Sequence, residues 1–221
     1  AVPNGRCLSM VTPDGQRTMR THLGAAMTLS PEEITLEDFA GAKHAHIEGY
    51  LMFNPALAEK VATTARAAGC TISLELSSFE VVNVARDWIL SQLEQGVHVV
   101  FANEDEVRAL FQKDASYDAY AKKLAGYGGI ACVKIGKEGA WVARGADLHR
   151  IAPVKVNRVV DTTGAGDAWA GGFLYGYLRG LSLASAGAIG SALGAECVQH
   201  LGPAIPEMHW TRLRQLAQSL K

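Results

Sequence analysis

The segment Asp161-Thr162-Thr163-Gly164-Ala165-Gly166-Asp167-Ala168-Trp169-Ala170-Gly171-Gly172-Phe173 joins a Gly-rich turn to an apolar run. Small residues at 164–166 let successive backbone N–H groups converge. The run that follows reads as a helix, whose N-terminal dipole adds partial positive charge, so the turn is suited to an anion. A carboxylate at the same place would repel phosphate. Its presence makes sense if Asp167 takes a proton from a substrate hydroxyl while the amides of Gly164, Ala165 and Gly166 hold the transferring group. Taken alone, the segment also reads as a Gly-rich turn with Asp capping the next helix. Two other phosphate motifs fail. A Walker A loop needs Gly-x4-Gly-Lys-Ser/Thr, and Gly136-Lys137 is followed by Glu138; a dinucleotide fingerprint needs a sixth-position Gly where Trp169 stands.

Upstream of this turn, strands and helices alternate. The patterning predicts strands at 45–50, 71–76, 97–102 and 130–135, with helices near 55–68, 80–94, 104–112 and 116–126 between them. Ser30-Pro31-Glu32-Glu33 reads as a helix start, with Pro at the first position and acids in the first turn. Short strands follow at 140–144 and 147–151. Downstream, 166–179, 182–200 and 207–219 read as three helices with no strand between them. Strands separated by helices of this length form βαβ units, so the fold class is α/β, a doubly wound, mainly parallel sheet with flanking helices. Ligands bind such sheets outside the carboxyl ends of the strands. The polar clusters there are Glu48-Gly49, Glu75 to Ser78, Asn103 to Glu106, Gly136 to Gly139, and Asp161 to Asp167.

Residues 6–12 and 17–23 are strand-like runs around Pro13-Asp14-Gly15-Gln16, a hairpin signal. The expected organisation is a β-hairpin segment over 1–25 and an α/β core over 26–221. A formal net charge of −1 without blocks of like charge gives no footprint for nucleic acid or an anionic membrane, so a small molecule is the expected partner. Cys7, Cys70, Cys132 and Cys197 form no Cys-x-x-Cys pair, and a reducing cytoplasm is the simplest location. His44 and His46 share a strand face, but no third metal ligand is evident and both read as core or surface histidines. The sequence opens Ala1-Val2-Pro3 and enters the hairpin almost at once, as if read from partway through a longer protein.

The stretch from Asp161 to Phe173 resembles the C-terminal signature of the ribokinase family, the PfkB carbohydrate kinases, with Trp169 where Phe is usual. The resemblance implies an ATP-dependent kinase acting on a hydroxyl of a sugar or nucleoside, with Asp167 as the catalytic base and the turn as its anion hole. Asn103-Glu104-Asp105-Glu106 resembles the family's Asn-x-x-Glu motif. By that likeness Asn103 approaches the nucleotide phosphates and Glu106 organises Mg2+ through water. On spacing alone the same residues are a helix cap with solvated acids. Gly136 and Gly139 match a Gly-x-x-Gly loop that lies along the nucleotide in the family; alone they form a tight turn. Asp161 and Thr163 resemble a monovalent-cation site, which would make K+ a third cofactor beside ATP and Mg2+, although Asp161 reads equally as a turn former.

The hairpin resembles the family's lid, and Arg17 to Ala25 is similar to the lid of adenosine kinases. Arg17 would then reach a phosphate, or else remain a solvated hairpin cation. A nucleoside resembling adenosine is the favoured acceptor, and a homodimer is compatible with the family. Members usually carry on the order of a hundred further residues before this hairpin, which supply part of the substrate pocket. The rival expectation is therefore a nucleotide-binding but inactive regulatory or scaffold protein of the same fold.

Overall fold

The computed structural model describes residues 2–220; Ala1 and Lys221, the outer ends of the two expected segments, lie outside the described residues. The chain divides into two compact units. One comprises residues up to Met27 with 136–140 and 149 onward, and the other comprises 28–135 with 141–148.

The second unit holds the parallel sheet. Its strands are β3 (His44–Glu48), β4 (Thr71–Glu75), β5 (Val99–Asn103) and β6 (Ile130–Lys134), each parallel to the next. β7 (Ala140–Arg144) and β8 (Asp147–Ile151) extend the sheet to the order β3-β4-β5-β6-β7-β8. The crossovers are α1 (Pro55–Ala67), α2 (Phe79–Glu94), α3 (Glu104–Phe111) and α4 (Tyr117–Ala125). Val99 to Ala102 are buried without a polar alternate, the pattern of a parallel strand covered on both faces. Ile72, Leu74, Val100, Val133, Ile89, Leu110 and Leu124 form one core between strands and helices.

The expected helix start at Ser30 is correct in its chemistry but not in its extent. Glu33 accepts from the Ser30 N–H at 2.8 Å, yet the helix is a single 3-10 turn, Pro31–Glu33. Thr35 then opens a second capping arrangement, with Asp38 accepting from the Thr35 N–H at 2.8 Å and another 3-10 turn over Leu36–Phe39. Two start signals five residues apart leave no room for a propagating helix between them.

The first unit contains the hairpin β1 (Asn4–Val11) and β2 (Arg17–Gly24), antiparallel with Leu8 opposite Arg20. Its turn is closed by Gly15 N–H donating to the Thr12 carbonyl at 2.8 Å, with Gly15 at φ +80. The same unit holds α5 (Ala165–Tyr177), α6 (Leu183–Cys197) and α7 (Glu207–Ser219). α5 and α6 meet backbone to backbone. A Cβ on Gly172 would lie 2.9 Å from Gly190 Cα, and one on Gly176 would lie 2.9 Å from Ala186 Cα. The small residues of both helices are what permit that approach. Among the described residues, no helix is long and apolar enough to cross a membrane.

Candidate active site

In the first unit the turn before α5 is held from several directions. Asp161 is 1% exposed, and its two carboxylate oxygens are shared between loops. Oδ1 accepts from the Thr163 N–H at 2.8 Å and Oδ2 from the Gly202 N–H at 2.9 Å. Burial pushes this carboxyl upward, but the Thr163 and Gly202 hydrogen bonds and the nearby Arg17 charge outweigh it and hold it below its usual range. Cys197 Sγ donates to the Thr163 carbonyl at 3.3 Å. Asp161 therefore ties the turn to the loop at Gly202. The Thr163 hydroxyl beside it is buried and has no hydrogen bond of good geometry, leaving a lone oxygen next to a carboxylate.

Gly164 sits at φ +75 as the N-cap of α5. A Cβ there would lie 2.5 Å from Pro203 Cβ and 2.9 Å from its Cα, so both conformation and space require glycine. Gly164→Ala is expected to lower stability by about 1–3 kcal/mol, the usual cost of a strained backbone position. Gly171 is the comparison, because a Cβ there meets nothing within 4 Å. Gly171→Ala should instead stabilise by about 0.5–1 kcal/mol through helix propensity. Urea denaturation of the two variants separates these signs, and equal effects would contradict the strain at Gly164.

Past Gly164, α5 begins. Ala168 N–H donates to the Gly164 carbonyl at 2.8 Å, while among the described residues no backbone carbonyl accepts from Gly166 or Asp167. The Ala165 N–H, expected in the anion hole, donates instead to the Thr162 carbonyl at 3.3 Å. Asp167 is exposed, and among the described residues nothing hydrogen-bonds its carboxylate. A mainly apolar cavity of about 550 Å³ opens beside it, lined by Gly164, Asp167, Ala168, Tyr175, Pro203 and Trp210 among others.

The hairpin reaches this turn through Thr162. Its N–H donates to the Gly15 carbonyl at 3.1 Å, its hydroxyl donates there at 3.2 Å, and Arg17 Nη1 donates to Thr162 Oγ1 at 3.2 Å. Arg17 is thus brought to the residue next to Asp161. Thr162 itself carried no sequence signal beyond its place in the motif. Gly136 and Gly139 both have positive φ, +49 and +94. At Gly139 the close approach is to the chain itself, since a Cβ would lie 2.2 Å from the Ile151 carbonyl oxygen.

In the second unit, Asn103 and Glu106 form a reciprocal cap at the start of α3. Asn103 Oδ1 accepts from the Glu106 N–H at 3.0 Å, and Glu106 Oε2 accepts from the Asn103 N–H at 2.8 Å. Asn103 Nδ2 donates to Glu106 Oε1 at 2.7 Å. Glu106 is 2% exposed. Burial and the neighbouring Glu75 charge push its carboxyl up to about 7, against the opposing pull of Lys134 and the Asn103 N–H. Lys134 Nζ pairs with Glu75 Oε1 at 2.9 Å, both largely buried. Sequence reading placed Glu75 in a polar cluster and left Lys134 inside the strand at 130–135, without pairing them; charged residues ending otherwise apolar strands were the available signal. The Glu75 and Glu106 carboxylates offer the oxygen ligands that a hard dication takes, so these residues fit Mg2+.

Hydroxyl groups meet both His44 and His46. Thr71 and Ser73 hydroxyls lie 2.7 and 2.9 Å from the two His44 ring nitrogens, and the Ser73 hydroxyl lies 2.7 Å from His46 Nδ1. Burial, then the charges of His46 and His98, lowers His44 to about 4.

The chain is similar to the adenosine kinase from Sinorhizobium meliloti at 35% identity, with a TM-score of 0.88, covering 96% of this chain and 66% of that one. A "probable sugar kinase protein" from Rhizobium etli gives 34% identity and a TM-score of 0.90, covering 99% and 67%. Adenosine kinase from Saccharomyces cerevisiae is 28% identical over 219 residues, 93% of this chain and 64% of the yeast protein. The chain thus spans slightly less than two thirds of the yeast protein. The family description that matches residues 2–210, from the hairpin through the Asp161–Phe173 turn to α7, is the pfkB family carbohydrate kinase, and the chain belongs to that family.

Proposed function

We propose that this protein transfers the γ-phosphoryl group of ATP to a hydroxyl of a sugar or nucleoside, with an adenosine-like nucleoside as the favoured acceptor. The observation that carries the reading is the exposed Asp167 carboxylate at the start of α5, beside the unengaged N–H groups of Gly166 and Asp167. Asp167 takes the proton of the acceptor hydroxyl as its oxygen attacks the γ-phosphorus. The bond from that phosphorus to the bridging oxygen breaks, ADP leaves, and the N–H groups receive the phosphoryl charge. Positioning and electrostatics supply most of the rate in such transfers.

Asn103, Gly136 and Gly139 are assigned to the nucleotide, Arg17 to a phosphate, and Glu106 to Mg2+ through water. When bound, Mg2+ supplies neutralisation of phosphate charge. The buried Thr163 hydroxyl beside the Asp161 carboxylate suits a K+ ion, which would stiffen the turn. The nucleoside preference is supported by the two similar proteins named adenosine kinase. A cytoplasmic location fits a requirement for ATP.

Purified protein assayed for ADP release against adenosine, other nucleosides and a panel of sugars tests the reading. At least one acceptor should raise ADP release above the ATP-only background. EDTA should abolish it, and K+ in place of a bulky organic cation should increase it. ATP binding without acceptor-dependent ADP release across the panel would favour the scaffold alternative instead. Indifference to K+ would remove only the Asp161 and Thr163 assignment.

A further inference from the structure

Away from the kinase motifs, in the unit that holds the three C-terminal helices, one carboxylate oxygen gathers two imidazoles. Glu196, in the last turn of α6, is 3% exposed. Its Oε1 lies 3.0 Å from His200 Nε2 and 3.0 Å from His209 Nδ1. The ring centroids of the two histidines are 4.9 Å apart, and the three candidate ligand atoms all lie within 4.8 Å of one another. We propose that Glu196, His200 and His209 form a binding site for one zinc-type transition-metal ion, which joins α7 to the end of α6.

Geometry supports this directly. Bonds of about 2.0–2.1 Å in a tetrahedral arrangement separate neighbouring ligand atoms by about 3.3 Å. The two carboxylate–imidazole separations need to open by only a few tenths of an ångström, and ring rotation closes the third edge. Coordination requires His200 Nε2 and His209 Nδ1 to be bare, which places each N–H on the far ring nitrogen. The ligands are also held by the backbone. His200 N–H donates to the Cys197 carbonyl at 3.2 Å, and His209 N–H donates to the Pro206 carbonyl at 3.0 Å.

The surrounding charge selects the class of metal. Arg212 donates to Glu196 Oε2 and neutralises the carboxylate. A hard cation such as Mg2+ or Ca2+, which depends on carboxylate charge, gains little there. Two imidazoles and a single carboxylate oxygen suit zinc and its neighbours in the first transition row. A cavity of about 680 Å³ borders Glu196 and His209 and is also lined by Lys155, Asn157, Gln199 and Arg212. It leaves room for a fourth ligand, a water or a small anion drawn by Lys155 and Arg212.

The site has a route to the phosphate turn. Between His200 and His209 lie Gly202, whose N–H holds Asp161 Oδ2, and Pro203, which packs against Gly164. An ion tying His200 to His209 would restrain that loop, and with it the turn. The assignment does not depend on the kinase reading.

Metal-free protein titrated with Zn2+ in a calorimeter tests it. One ion should bind per chain, and Zn2+ should raise the thermal midpoint where excess Mg2+ does not. The double variant His200→Ala with His209→Ala should lose that binding, and either single change should weaken it by more than about tenfold. Cys7 remains exposed in the double variant, so undiminished binding there would assign the ion to other groups and overturn the proposal. Arg212→Met keeps every ligand and removes the competing charge, so it should tighten Zn2+ binding several-fold even if the histidine variants fold poorly. Failure of the parent to bind Zn2+ at a tenfold excess would leave a hydrogen-bonded Glu–His–His cluster and no metal site.

Discussion

Replacing Asp167 by asparagine is expected to keep ATP binding and to lower turnover by about 10²–10⁴-fold, the usual contribution of a general base. The amide has nearly the carboxylate's shape, and among the described residues no hydrogen bond depends on the charge, so folding should be little affected. The anion site is built from backbone N–H groups, which the substitution leaves in place. The measurement is acceptor-dependent ADP release with a compound that the parent protein phosphorylates, together with ATP affinity by calorimetry. Loss of turnover with ATP affinity retained places the effect in the chemical step. Turnover within a few-fold of the parent would remove the base assignment. A parallel loss of ATP affinity would instead make Asp167 a nucleotide-binding residue.

Much of this site was legible because its parts are local. The turn, its glycine and the carboxylate lie within seven residues, and the Asn103–Glu106 cap spans four, so sequence spacing nearly fixes their geometry. The same holds for the crossovers, where α1 and α2 end at Ala67 and Glu94, each followed within two residues by a glycine of positive φ, Gly69 and Gly96. What escaped was non-local. Asp161 meets Gly202 across forty-one residues, and Lys134 meets Glu75 across fifty-nine. Asp161 and Glu75 were visible in polar clusters, Lys134 only as a charge inside a predicted strand and Gly202 only as a glycine, and no periodicity says which pairs form.

Glycine shows the limit from another side. Gly139 belongs to a motif associated with nucleotide, yet its space is taken by the Ile151 carbonyl and Pro153 of its own chain. Gly172 and Gly190 likewise answer to the contact of α5 with α6. A glycine read from sequence announces a close approach without naming what approaches. The Glu196 cluster gave no signal either. Only the turn from α6 into α7 brings His209 back beside His200, and the intervening prolines and Gly202 read as loop alone.

Glu106 gives a dependence on pH that can be tested. Its carboxyl moves from an ordinary 4.5 to about 7 in the folded protein, so between those values the folded state holds the proton more tightly than the unfolded chain. Stability contributed by the protonated form is therefore complete below about pH 4.5 and is lost as pH rises through about 7. The interval corresponds to about 3 kcal/mol, treated as an upper figure because Glu75 and Lys134 share the same buried network. Glu106→Gln cannot titrate. It forfeits one of the two bonds from Asn103, a loss that is the same at every pH. In EDTA, urea denaturation should show the parent losing up to about 3 kcal/mol relative to the variant between pH 4.5 and pH 8. A difference that does not change with pH would mean that burial has not raised the carboxyl. If Glu106 holds Mg2+ as proposed, only its ionised form does so, and adding Mg2+ above pH 7 should restore part of the lost stability in the parent and none in the variant. Equal stabilisation of both proteins would place the ion elsewhere and withdraw Glu106 from its metal role.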